Sequence, residues 1–165
     1  MPANRSAEVI LSLPSELDIA FKRTFDWPRS LLFEAWTKPE HVRHWWGCDG
    51  SSVTACNMDV RVGGLWHTVL RMPDGTDHAF SGKYLEIVPN ERLVYTERYE
   101  NPLVGNPQWV TTVTFGETDS ETQVTHNIRH PSREARDSHL KAGMEAGESQ
   151  SLRRLDECIA CVRNV

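Results

Sequence analysis

Apolar and polar side chains alternate from about Glu16 to Asp26, with Leu17, Ile19, Phe21 and Phe25 on one face, which predicts a first strand. Asp26-Trp27-Pro28 then opens a short helix, with Asp26 placed to cap it and Pro28 tolerated in its first turn. Leu31, Leu32, Ala35 and Trp36 give that helix an apolar face. Thr37-Lys38-Pro39 breaks it, and a second short helix runs from Pro39 to about Trp46, stopped by Gly47.

Beyond Gly47 the period changes to two. Six strands are expected: Val53 to Arg61, Leu65 to Met72, His78 to Val88, Arg92 to Glu100, Trp109 to Glu117 and Thr122 to His130. Gly63-Gly64, Pro73-Asp74-Gly75, Pro89-Asn90-Glu91 and Asp119-Ser120 supply the turns between them. From about Ser132 the spacing becomes helical, with Leu140, Met144, Ser151, Leu152, Leu155, Ile159 and Val162 near one face. Gly143 and Gly147 remove side chains from one strip of that helix, marking a bend or a place where bulk is kept out of a cavity. The expected architecture is α+β: a curved antiparallel sheet of about seven strands gripping a long C-terminal helix, with two short helices after the first strand.

Length allows one domain, placed at residues 16–165 after a loosely ordered start at 1–15. A net charge of −5 argues against a nucleic-acid partner, which needs a basic face. No apolar run reaches the roughly 20 residues of a membrane span, and residues 1–16 lack a secretory pattern, so a cytoplasmic location is expected.

Several chemically suggestive residues have plainer explanations. Cys158 and Cys161 form a CxxC, but within a helical pattern and without a second such pair, so ordinary helix positions are expected. Cys48 and Cys56 match no metal spacing, and the reactivity of Cys48 is left open. His41 and His44, three apart, lack a third ligand nearby and are expected at the surface. Trp45 and Trp46 point about 100 degrees apart on a helix, so one anchors the small helices while the other at most edges a cavity. Asp59 and Arg61 are expected to hold a turn. No metal and no cofactor is expected.

Once these segments are set in order, the chain resembles bacterial relatives of the C-terminal domain of the activator of heat-shock protein 90 ATPase. The resemblance is carried by Arg23-Thr-Phe25-Asp26-Trp-Pro28, Ala35-Trp36-Thr37-Lys-Pro39-Glu40-His41, Trp45-Trp46-Gly47, Met58-Asp59-Val-Arg61-Val-Gly63-Gly64, Pro73-Asp74-Gly75 and Phe80-Ser-Gly82-Lys-Tyr84. Pro89-Asn-Glu91-Arg92-Leu93 and Gly143-Met144-Glu-Ala-Gly147 continue it, so that it spans about residues 17 to 162. That family lies in the START-like, or SRPBCC, superfamily, with lipid-transfer domains, pollen-allergen-type carriers and polyketide aromatase/cyclases. The resemblance implies a helix-grip fold with a cavity, but not the ligand. Two positions depart from the pattern: Cys48 stands where the family often has proline, and Glu148 where it often has tryptophan.

Strand parity selects what would line such a cavity. Inner faces carry Trp66, Thr68 and Leu70; His78 and Phe80; Leu93, Tyr95, Glu97 and Tyr99; Trp109, Thr111, Val113 and Phe115; and Val124, His126 and Ile128. The expected ligand-binding set is Trp66, His78, Phe80, Tyr95, Glu97, Tyr99, Trp109, Thr111 and His126, with Met144, Glu148 and Leu152 from the helix. Aromatic walls with sparse polar anchors suit sequestration of a hydrophobic, aromatic or acyl, small molecule. One alternative is an acid-base enzyme of the cyclase or hydrolase kind using Glu97 and His126. Another is a chaperone-interacting module. Sheet edges leave a homodimer open.

Overall fold

The computed structural model describes residues 8–163. Its strands are β1 Ile10–Ser12, β2 Asp18–Phe25, β3 Ser52–Met58, β4 Leu65–Arg71, β5 Asp77–Val88, β6 Arg92–Tyr99, β7 Gln108–Thr118 and β8 Glu121–Arg129. They form one antiparallel sheet in the order β1-β2-β8-β7-β6-β5-β4-β3. Two short helices, α1 Arg29–Thr37 and α2 Pro39–Trp45, follow β2, and α3 Arg133–Lys141 and α4 Met144–Arg163 close the chain. The α+β helix-grip architecture expected from periodicity is the one observed.

Eight strands form rather than about seven. The addition is β1, inside the stretch expected to be loosely ordered; it pairs Ile10 with Lys22 and Leu11 with Phe21. Two irregularities, between Val53 and Ala55 on β3 and between Tyr84 and Glu86 on β5, interrupt the ladders and add twist to the sheet.

Helix α1 begins differently from expectation. Pro28, not Asp26, stands at its N-cap without a capping side chain. The Arg29 N–H instead donates to Glu117 Oε2 from β7 at 2.9 Å, so a distant strand performs the capping. The long terminal helix is two helices. Ser132 caps α3 by accepting from Ala135 N–H at 3.1 Å. The chain then breaks at Gly143, whose φ of +84° is the left-handed conformation that ends helices and that a side chain disfavours.

Buried side chains separate into two groups. The larger packs Leu152, Leu155 and Ile159 of α4 onto Leu93, Val113, Phe115 and Val124 of the sheet, with Leu32 and Trp36 of α1. The smaller joins Ile19, Phe21, Trp109 and Ile128, with Leu140 and Met144 half-buried against it. Among the described residues, no helix is long and apolar enough to cross a membrane.

Candidate functional site

The segment from His41 to Gly50 ends α2 and is latched onto α4. Ser151 Oγ accepts from the Gly47 N–H at 3.1 Å, and Arg154 donates to the Gly47 and Cys48 carbonyls at 3.1 and 2.8 Å. Trp45 is buried, and its indole donates to the Ala35 carbonyl at 2.9 Å. Trp46 meets Phe80 edge to face, with ring centroids 5.1 Å apart, and both tryptophans border the cavity between the sheet and α4, where one at most was expected. His44 is exposed and His41 half-buried, and no group of three His, Cys, Asp or Glu among the described residues is placed to hold a metal.

A cavity of about 220 Å³ lies between the sheet and α4, bounded by Trp36, Trp45, Trp46, Tyr95, Trp109 and Ile128. It shares Phe80, Leu70, Trp109, His139 and Met144 with a wider groove of about 690 Å³ that runs under α3. Its aromatic walls are tethered. Trp36 Nε1 donates to the Tyr95 hydroxyl at 3.4 Å, and Trp109 Nε1 donates to Glu97 Oε2 at 2.7 Å. Such bonds hold the rings at the periphery and oppose collapse into the space they enclose.

Helix α4 leaves the space open. Gly147 faces the cavity, and a Cβ built there meets nothing within 4 Å. One residue on, Glu148 reaches the sheet: its Oε1 lies 2.5 Å from Nδ1 of His126 on β8. Both side chains are nearly buried, at 16% and 13% exposure, so the pair is largely withdrawn from water. Burial alone would pull the His126 imidazole down, but the charge of Glu148 and its hydrogen bond outweigh this and raise it. Glu97, on β6, feels burial most strongly. Its carboxyl is pushed up to about 7 despite the opposing charge of His126 and the Trp109 hydrogen bond.

His139, near the end of α3, lines both spaces and sits 2.9 Å, Nδ1 to Nε2, from buried His130 at the end of β8. Burial, helped by the charges of His130 and His126, brings His139 down to about 4, and burial lowers His130 as well. This pair is therefore neutral at neutral pH, while the charged form of His126 is favoured relative to a free imidazole.

The expected residues divide by depth. Phe80, Tyr95, Glu97, Trp109, His126, Met144 and Glu148 line the cavity. His78 and Tyr99 line the outer groove, His78 Nδ1 lying 2.5 Å from the Tyr99 hydroxyl. Trp66 borders a smaller space of about 40 Å³ with Tyr95 and Glu97; its indole donates to the Thr96 carbonyl at 3.2 Å, where a Cβ on Gly82 would collide. Thr111 and Leu152 are sealed in the packing and border none of these spaces. Trp36, Trp46, Leu70, His139 and Ser151 border the cavity without having been singled out as contacts. The four-residue stripe of Gly143 and Gly147, extended in both directions, points to His139 and Ser151.

Solved structures share the whole architecture. A crystal structure of a protein from Nitrosomonas europaea is 26% identical with a TM-score of 0.83, covering 93% of this chain and 100% of that one. A protein from Chromobacterium violaceum is 25% identical with a TM-score of 0.76, covering 88% and 98%. One from Rhodobacter sphaeroides, at 23% identity and a TM-score of 0.84 over 93% and 99%, is similar in fold. No curated protein matches the chain. Residues 26–160 match the family model described as Activator of Hsp90 ATPase homolog 1-like protein, and the chain belongs to that family, within the SRPBCC superfamily.

Proposed function

We propose that the protein binds and sequesters a hydrophobic small molecule, aromatic or acyl, in the cavity between the sheet and α4. The observation that carries this function is the hollow itself: about 220 Å³ beside Gly147, with tethered aromatic walls and few polar groups. A chain selecting only for stability would fill such a space, since voids forfeit packing contacts. Apolar ligand surface entering the hollow recovers those contacts, and the few polar groups fix orientation.

Native mass spectrometry of the protein purified from its own host, beside Gly147→Leu, tests the proposal. The expected result is an apolar compound retained by the wild type and absent from a folded Gly147→Leu protein. Wild-type protein that carries nothing, and shows no thermal shift with aromatic and acyl compounds, overturns it.

Glu97 and His126 on one cavity also favour a second function, acid-base catalysis on a bound carbonyl compound. In that case Glu97→Gln and His126→Asn each abolish turnover; in a carrier they change only affinity.

A further inference from the structure

Three of the polar side chains that border the cavity, Glu97, His126 and His139, are each held by a neighbour at one atom and left free at another. Trp109 Nε1 occupies Glu97 Oε2, leaving Oε1. Glu148 Oε1 occupies His126 Nδ1, leaving Nε2. His130 Nε2 occupies His139 Nδ1, leaving the Nε2 of His139. Among the described residues, the buried side-chain nitrogens and oxygens without a partner are Arg23 Nε, Thr111 Oγ1 and His130 Nδ1. The three free atoms are not among these, so they retain accessible surface on side chains that line the cavity.

Their neighbours decide what these free atoms offer. An indole N–H only donates, so Glu97 Oε2 accepts and the carboxyl proton resides on Oε1. A carboxylate only accepts, so His126 Nδ1 carries a proton, and the protonated ring carries another on Nε2. For the third group, the buried His130 Nδ1 has no partner. A wasted N–H there costs more than a wasted lone pair, so the proton of His130 sits on Nε2 and donates to His139. His139 then carries its own proton on Nε2. With Glu97 and His126 both protonated, all three free atoms are donors. The charge on protonated His126 is already matched by Glu148, while His139 and, below about pH 7, Glu97 are neutral, so an anionic ligand would bring a buried charge with no counter-ion.

We infer that the cavity selects its apolar ligand by an uncharged oxygen acceptor, an aromatic ketone, gathered by the free atoms of Glu97, His126 and His139. This rests on the cavity being a ligand site. The selection is pH-dependent in one direction. The groups facing Glu97 are Tyr95 on its own strand, Trp109 on β7, His126 on β8 and Glu148 on α4. As pH rises through about 7, Glu97 ionises and turns lone pairs toward the ketone oxygen. Loss of the Nε2 proton of His126, which Glu148 holds above the ordinary histidine value, acts in the same direction. Both changes weaken ketone binding.

Calorimetric titration with acetylnaphthalene, ethylnaphthalene and naphthoate, from about pH 6 to about pH 8, tests the inference. The ketone is expected to bind at least about tenfold more tightly than the hydrocarbon below pH 7, the range for a hydrogen bond from a charged or strongly polarised donor. That advantage should shrink as the pH rises. Glu97→Gln supplies an amide donor that does not ionise, so the variant should keep the preference and lose the part of the pH dependence centred near 7, with its fold checked by circular dichroism. Equal binding of ketone and hydrocarbon at every pH overturns the acceptor selection while leaving the ligand site standing. Tightest binding of naphthoate overturns the neutral-acceptor class. Failure of all three probes to bind overturns the ligand site and this inference with it.

Discussion

Helix α4 covers one sheet in two ways. From Ser151 onward it presents Leu152, Leu155 and Ile159, each at most 5% exposed, and the space beneath is filled. Before Ser151 it presents Met144, Gly147 and Glu148, and the space beneath is hollow. The sheet wall differs too, with Leu93, Val113, Phe115 and Val124 in the filled half and Phe80, Tyr95, Trp109 and His126 around the hollow. The helix adds to the difference by withholding bulk at Gly147 and by committing the Glu148 side chain to a hydrogen bond with His126. Cavity and core are thus neighbouring solutions on the same scaffold, separated by about one helical turn.

The sharpest way to break this comparison is to remove an equivalent amount of side chain from each half. Leu155 is fully buried among Leu32, Phe115 and Val124. Leu155→Ala should destabilise the protein by about 2–5 kcal/mol, measured by urea denaturation, because it loses transfer energy and leaves a void. Met144→Ala enlarges a space that is already open and should cost clearly less. Equal losses would mean that both halves are packed alike.

Glu148→Gln should have the next largest effect, and its pH dependence gives it a signature. His126 is raised in the folded protein by its Glu148 partner, so the stability this pair contributes is fully present below the unfolded histidine value near 6.5. It is lost as pH rises through the higher folded value. The variant should therefore be less stable than wild type by about 1–3 kcal/mol at mildly acid pH, and the gap should close on the alkaline side. Thermal unfolding across pH reads the gap. An NMR titration should show His126 moving down once burial acts without its counter-charge. A pH-independent difference would assign the loss to packing instead.

Much of this half-filled design was legible in the chain. Period-two runs located the strands from β2 onward, because strands with one buried face alternate by necessity. The same parity put Tyr95, Glu97, Trp109 and His126 on one surface. Parity reports a face, however, and not a depth. Thr111 and Leu152 were expected at the ligand and instead lie sealed in the core. Strand β1, three residues long, is too short to show alternation and is held by its pairing with β2. Glu148 stood out as a departure at the cavity mouth, but its contact with His126 joins residues 22 apart across a sheet-helix interface, which no local pattern encodes. The capping of α1 by Glu117 was hidden for the same reason, at a separation of 88 residues.

The smallest expected effect contrasts two glycines. Gly147 lies inside α4 with open space around a built Cβ, whereas Gly143 ends α3 at a φ of +84°. Alanine at Gly147 removes the entropic penalty of a helical glycine and meets no obstruction. Gly147→Ala should therefore raise stability by about 1 kcal/mol, or roughly 3 °C in Tm for a chain of this size. At Gly143 there is also room for a methyl group, but the left-handed backbone disfavours it, so Gly143→Ala should lower stability by about 1 kcal/mol. One substitution, made four residues apart in equally open surroundings, then changes sign through backbone conformation alone. Destabilisation by both would place atoms where the cavity should be. Stabilisation by both would mean that the break between α3 and α4 is not held by Gly143. The expected opposite signs would establish that the hollow beside Gly147 exists despite an available gain in helix stability, as a site maintained for an occupant requires.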